Sequence, residues 1–272
     1  MSIRICLSGA TGHVGRELIG GILKNPDMEL AACLGFSSAG RRLDSVLRMD
    51  CPGLPIHASV AQALEAGEID VLIDYTTPDA VYRTVTEGIS NGLHCVIGTS
   101  GLTNGEYTRI HELANNKCVG VFAAGNFSLT AALMMHFAQL AAQFVPHWEL
   151  FDFAPDTKID APSGTTRELA YLLGQIGRPV SQVPPENVHG RPDSRGAKIN
   201  GSQVHSIRVP GYYSSSEAVF GLPGERLSIR HDSISYAPYV EGTLLAVQRV
   251  SAMQGLVRGM GKLLGFEAEA SK

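Results

Sequence analysis

The sequence predicts an α/β protein: a doubly wound parallel sheet followed by a second, α+β domain. Three observations carry this. Up to residue 123, short apolar runs alternate with helical patterns at the spacing of strand–helix units. The runs are continuously apolar, as strands covered on both faces are. After residue 126 the pattern changes to a long helix and then to strands in which hydrophobic and polar residues alternate, as in an antiparallel or mixed sheet with one exposed face. The 272 residues allow one large domain or two modest ones. With 44% hydrophobic and 18% charged residues the chain can bury a sizeable core, which excludes disorder.

In order, residues 3–7 read as a strand, 15–24 as a helix, 30–34 as a strand and 59–66 as a short helix. Strands at 71–74, 94–97 and 119–123 alternate with helices at 79–91 and 104–116. The second part opens with the long helix, followed by a strand at 148–153 and a helix at 163–176. A polar connection rich in Pro and Gly covers 178–201. Strands follow at 204–209, 217–221 and 226–232, and residues 243–264 read as helical. Residues 119–148 contain no Asp, Glu, Lys or Arg, enough to span a bilayer. His136, Gln139 and Gln143 nevertheless recur on one helical face, which predicts a buried helix and no membrane partner. The chain reads into its first strand without an export signal. The five cysteines (Cys6, Cys33, Cys51, Cys95, Cys118) show no C-x-x-C spacing, and three lie in apolar runs. No metal site and a reducing, cytoplasmic setting follow. A net charge of −4 argues against a nucleic-acid partner.

The strongest local motif is Gly9-Ala10-Thr11-Gly12-His13-Val14-Gly15, between the first strand and the first helix. Glycines there let the backbone approach a pyrophosphate, which the N–H groups of the helix start attract. This makes the first domain Rossmann-type and assigns Gly9, Thr11, Gly12, His13 and Val14 to a dinucleotide. An acid at the end of the second strand would bind the ribose 2′-hydroxyl of NAD. Here the strand ends Leu34-Gly35-Phe36-Ser37-Ser38, with Arg41 and Arg42 beyond. Hydroxyls and guanidinium groups suit a 2′-phosphate, so NADPH is expected over NADH, with Ser37 and Arg41 as contacts. Two more strand ends carry small and hydroxyl residues where a cofactor lies: Tyr75 and Thr76, and Gly98, Thr99 and Ser100.

The most specific segment is Lys158-Ile159-Asp160-Ala161-Pro162-Ser163-Gly164-Thr165. Lys158, with Ser163, Gly164 and Thr165 at a helix start, makes a site for an anionic substrate. The same residues read equally well as a helix cap beside a solvated lysine.

With the glycine turn, 74–78, 98–101, Asn126-Phe127-Ser128 and Gly224–His231 in the same order, this segment resembles the dihydrodipicolinate reductase family along nearly the whole chain. The resemblance implies a dinucleotide-binding domain over 1–126 and 238–272. It also implies a substrate-binding and oligomerisation domain over 127–237, a homotetramer, and hydride transfer to a C=N or conjugated C=C bond of a small cyclic carboxylate in lysine biosynthesis. It places Lys158, Ser163, Gly164 and Thr165 on substrate carboxylates, and Asn126 and Phe127 beside the cofactor. One departure stands out. The family motif begins H-H-x-x-K, its first histidine giving a proton and its second holding a carboxylate. This chain has Ala154 and Pro155 there, and neither side chain can donate. Arg208 survives from a later family stretch, whose ending reads Ser214-Ser215-Ser216 here. Lys158 is then the catalytic candidate, with Asp156, Tyr212, Tyr213 and water as other proton sources. Reduction of another imine or keto acid in a remodelled pocket, and a non-catalytic dinucleotide-binding sensor, are the alternative readings.

Overall fold

The computed structural model describes residues 2–266. Backbone packing divides the chain into two compact units: residues up to Leu129 together with those from Tyr236 onward, and Thr130–Ser235. The first unit contains β1 (Ile3–Ser8), α1 (His13–Lys24), β2 (Met28–Leu34), α2 (Leu43–Leu47), β3 (Ile56–His57), α3 (Val60–Ala66), β4 (Val71–Asp74), α4 (Pro78–Ser90), β5 (His94–Ile97), α5 (Asn104–Lys117) and β6 (Gly120–Ala123). The helix α6 (Leu129–Ala142) leads into the second unit. That unit holds β7 (Trp148–Ala154), α7 (Gly164–Ile176), β8 (Ala197–Ile199), β9 (Ser202–Arg208), β10 (Ser214–Leu222) and β11 (Glu225–Ser233). The chain then adds α8 (Pro238–Val250), β12 (Gly255–Arg258) and α9 (Met260–Leu264) to the first unit.

The sheet of the first unit is parallel, in the order β12-β6-β5-β4-β1-β2-β3. The strand order reverses beside β1, the place where ligands bind beyond the strand ends. All four residues of β4 and of β6 are buried, as their unbroken apolar runs require. Val81, Val85 and Ile89, spaced along one face of α4, pack with Leu72, Cys95, Ile97 and Val121 into one core. Burial of each such side chain stabilises the fold by ~1.5–3 kcal/mol.

The end of the chain differs from the single helical stretch that 243–264 predicts. Helix α8 stops at Val250, Gly255 adopts φ +67°, and residues 255–258 pair with β6 as an edge strand. The ring nitrogen Nδ1 of His111 accepts the Leu256 N–H at 3.1 Å and fixes this strand start. β-branched Val257 after a left-handed glycine favours a strand over another helical turn. Part of the connection at 178–201 is also ordered: β8 and β9 form a hairpin around Asn200 and Gly201, at φ +48° and +94°. Asn-Gly suits such a two-residue turn because both positions need positive φ. The apolar stretch 119–148 is divided among β6, α6 and β7, and among the described residues no helix is long and apolar enough to cross a membrane. On α6 the outward face is not purely polar: Phe137 and Leu140 are exposed there.

The five-stranded sheet of the second unit runs β11-β10-β7-β9-β8, with β7 and β9 parallel and the other pairs antiparallel. One face packs on α6 and α7 through Met134, Met135, Leu150, Leu169, Leu173, Val204, Ala218 and Phe220. The opposite face carries Phe151 and Phe153. The Phe151 ring stacks on His205 at 4.8 Å and that of Phe153 on Tyr212 at 5.1 Å.

Candidate functional site

In the first unit the chain leaves β1 at Gly9, φ +82°. A side chain at Gly9 would strike the Tyr75 carbonyl, and one at Gly15 would strike the Gly9 carbonyl. Only glycine lets strand, turn and helix come this close. Gly12 caps α1 with no side-chain hydrogen bond, and the first turn of α1 has no acidic residue. Its N–H groups are therefore offered to a ligand. A cleft of about 520 Å³ opens at this turn, walled by Gly9, Thr11, Gly12, Ser37, Tyr75 and Thr76 of the expected set. Phe36 and, from α4, Arg83 also line it, and neither is in the expected set. Phe36 is 83% exposed at this cleft, where its ring offers a flat apolar surface. The missing Cβ atoms, the offered N–H groups and this ring fit a dinucleotide.

His13, Val14, Arg41, Gly98, Thr99, Ser100, Asn126 and Phe127 stand outside the walls of this cleft. The Thr99 hydroxyl donates to Asp74 Oδ1 at 2.6 Å and accepts the Thr76 N–H at 2.7 Å, so it braces two strand ends. The Thr76 hydroxyl also turns to Asp74 Oδ1, at 2.8 Å. Burial pushes the Asp74 carboxyl up despite these donors. The Tyr75 hydroxyl is bonded to Thr243 at 2.8 Å, and burial raises its pKa well above the ordinary value. Gly98 leaves room for the Tyr75 ring, and Ser100 is exposed beyond it. Phe127 is a core residue, 1% exposed and set edge-on against Phe122. The Asn126 side chain accepts the Ser128 N–H at 2.8 Å. His13, exposed, stacks on Tyr236 with ring centroids 5.0 Å apart, and Val14 is half-buried beside it. Arg41 is exposed on the loop after β2, outside the cleft walls. Arg42 pairs with Asp44 at 3.0 Å, so its charge is already matched.

The second unit builds the Lys158–Thr165 segment on a buried carboxylate that the sequence reading passed over. Asp152, fully buried on β7, accepts the Ser163 N–H at 2.9 Å and the Thr166 hydroxyl at 3.1 Å. Arg208 of β9 donates to it at 2.6 Å and to the Asp160 carbonyl at 2.8 Å. Burial alone would raise the Asp152 carboxyl, but the Ser163 and Arg208 donors outweigh it and hold it below the usual range. The strand register places Asp152 in a row with Ser206, Ser216 and His231. The Thr166 hydroxyl bonds Ser216 at 2.7 Å. An acidic residue inside the apolar run 148–153 was the available signal.

This scaffold fixes the start of α7. Ser163 is its cap, 4% exposed, and its Oγ accepts the Thr166 N–H at 3.4 Å. The Ser163 hydroxyl is thus turned inward, whereas Gly164 is exposed and Thr165 half-exposed. The Lys158 N–H closes a turn onto the Pro155 carbonyl at 3.1 Å. The Lys158 ammonium reaches Asp160 at 2.8 Å. Burial works to raise the Asp160 carboxyl, but Lys158 holds it below the usual range. Ser163 thus anchors the start of α7 with Gly164 and Thr165 outward, and Asp160 ties Lys158 to this helix start through Arg167. Ala154 is fully buried, and Tyr212 is engaged by Arg230 and by the Phe153 ring.

Comparison with known proteins places this geometry. The family model of the dihydrodipicolinate reductase N-terminus matches residues 3–127, and that of the C-terminus matches 130–264. A 4-hydroxy-tetrahydrodipicolinate reductase of Desulfitobacterium hafniense is 35% identical over 263 residues, 96% of this chain and 98% of that one. One of Listeria welshimeri is 31% identical over 262 residues, covering 96% and 100%. The solved structure of a dipicolinate-bound dihydrodipicolinate reductase from Paenisporosarcina sp. TG-14 superposes with a TM-score of 0.83 at 30% identity, covering 96% of this chain and 99% of that one.

Proposed function

The chain belongs to the dihydrodipicolinate reductase family, and on that premise we propose that it reduces 4-hydroxy-tetrahydrodipicolinate, a small cyclic dicarboxylate, with NADPH preferred over NADH. It is an NAD(P)H-dependent oxidoreductase of the lysine-biosynthetic type. The observation that carries the substrate reading is the Asp152 scaffold, which presents Lys158 beside the exposed start of α7. When bound in the first unit, a nicotinamide dinucleotide would supply a hydride. Gly9, Thr11 and Gly12 would hold its pyrophosphate and Ser37 its ribose side, with Tyr75 and Thr76 as the wall across the cleft. Lys158, Gly164 and Thr165 bind and orient the carboxylate, and the Lys158 ammonium provides the proton that Ala154 cannot. A positioned acid contributes ~10²–10⁴-fold in rate.

The NADPH preference rests on the absence of an acid at Gly35 and Phe36 and on Ser37 with the cations Arg83 and Arg41. NADPH oxidation should follow addition of the substrate, and calorimetry should give tighter NADPH than NADH binding. Arg83→Ala and Arg41→Ala should narrow the gap. Arg42→Ala should leave it unchanged, because Asp44 already takes that charge. Equal affinities in the unchanged protein would remove the preference, and no oxidation would remove the reaction.

The chain assembles as a homotetramer through its second unit. Support comes from the sheet face turned away from α6 and α7, where Ile207 and Val209 are 37% and 42% exposed beside the aromatic pairs. An exposed apolar patch on one face suits association with another chain. Light scattering at micromolar concentration should report four chains of 29.0 kDa, and a clean monomer would refute the assembly. The buried thiols of Cys6, Cys33 and Cys95 suit a reducing cytoplasm.

A further inference from the structure

The Lys158–Thr165 segment carries one more cation than a single carboxylate needs. Asp160 faces two: Lys158 at 2.8 Å and Arg167 Nη2 at 3.9 Å. Arg167 lies in the first turns of α7 and is 52% exposed. Its Nη1 donates to the Pro162 carbonyl at 2.7 Å, which folds the side chain back over the segment. Its Nη2 then lies 3.9 Å from where a Cβ on Gly164 would sit. The guanidinium therefore covers the exposed glycine that the substrate reading places on a carboxylate. The start of a helix favours negative charge and the first turn of α7 holds no acidic residue, so the carboxylate that offsets Arg167 is Asp160, which it shares with Lys158. One carboxylate between two cations leaves net positive charge at this place, which suits an anionic ligand.

We propose that Arg167 is the second carboxylate-binding group of this site. It takes over the task that the family gives to a histidine and that Pro155 cannot perform. Lys158 binds one carboxylate of a cyclic dicarboxylate and Arg167 the other, and Asp160 holds both cations in position by standing between them as an internal carboxylate. A planar guanidinium pairs with a carboxylate through two parallel N–H bonds, so it fixes orientation as well as charge. This inference rests on the carboxylate-substrate reading above.

The test compares dipicolinate (pyridine-2,6-dicarboxylate) with picolinate, which has one carboxylate, by calorimetry on the NADH-saturated protein. Arg167→Gln should weaken dipicolinate binding roughly tenfold, the range for a half-exposed charged hydrogen bond. It should leave picolinate binding unchanged, so that the variant no longer distinguishes the two. Arg167→Lys should recover part of the dipicolinate affinity, since it keeps the charge and loses the fork. Arg167 is half-exposed, so both variants should keep the native melting temperature. Two outcomes overturn the role of Arg167 while leaving the substrate reading intact: dipicolinate binding unchanged in Arg167→Gln, or both ligands weakened by the same factor. If the unchanged protein binds neither ligand, the carboxylate-substrate reading falls, and the inference with it.

Discussion

Replacing Lys158 with alanine is expected to raise KM for the dicarboxylate roughly 10- to 100-fold and to leave NADPH binding unchanged. A hydrogen bond to a charged partner contributes ~1.5–3 kcal/mol, and Lys158 is only one-third exposed, so solvent screens it modestly. The cofactor turn belongs to the other unit, which is why the dinucleotide should not sense the change. The proton role is separable from the binding role. Lys158→Arg keeps a cation but cannot release a proton near neutrality. It should restore most of KM while kcat stays low by ~10²–10⁴-fold. Steady-state kinetics with both variants decide this. An unchanged KM in Lys158→Ala would remove the carboxylate clamp, and full kcat in Lys158→Arg would assign the proton to another source.

The sequence was most readable where one residue type has one physical use. Gly9 and Gly15 stand where a Cβ would strike backbone, and with a strand before them and a helix after them they made the strand–turn–helix reading. Short apolar runs marked β4, β5 and β6 because strands covered on both faces show little polar side, with Asp74 and His94 only at the strand ends. Legibility fell where a side chain had two possible partners. Thr76 and Thr99 looked like ligands of a cofactor, and both hydroxyls turn inward to the buried Asp74. Arg42 read as a guanidinium suited to a 2′-phosphate, and the structure pairs it with Asp44, two residues on. Phe127 sits in a matching motif, but as packing against Phe122. β12 was hidden because its pairing partner, β6, lies more than 130 residues earlier in the chain.

Asp152→Ala should be the most destabilising single change in the second unit, because it removes four partners at once. Ser163, Thr166, Ser206 and Arg208 all point donors at this fully buried carboxylate. Breaking a buried pair by deleting one member costs ~3–5 kcal/mol, since the remaining charge stays out of water. For a chain of this size that lowers Tm by on the order of 10 °C. Arg208→Leu added to Asp152→Ala should recover part of the loss, because it takes away the stranded guanidinium. The pH dependence has a fixed sign. The native Asp152 carboxyl is held below its ordinary range. Its contribution is therefore complete above the ordinary carboxylate pKa of about 4, and is lost as pH falls through the lowered native value. Melting followed from pH 7 to pH 2 should show the unchanged protein losing stability below about pH 4, and Asp152→Asn losing less over the same interval. Binding should move with folding, for the Ser163 N–H and the Asp160 carbonyl are both held by this network and they frame Lys158 and the start of α7. If Asp152→Ala melts with the unchanged protein, the segment is supported from elsewhere and Asp152 is not its anchor.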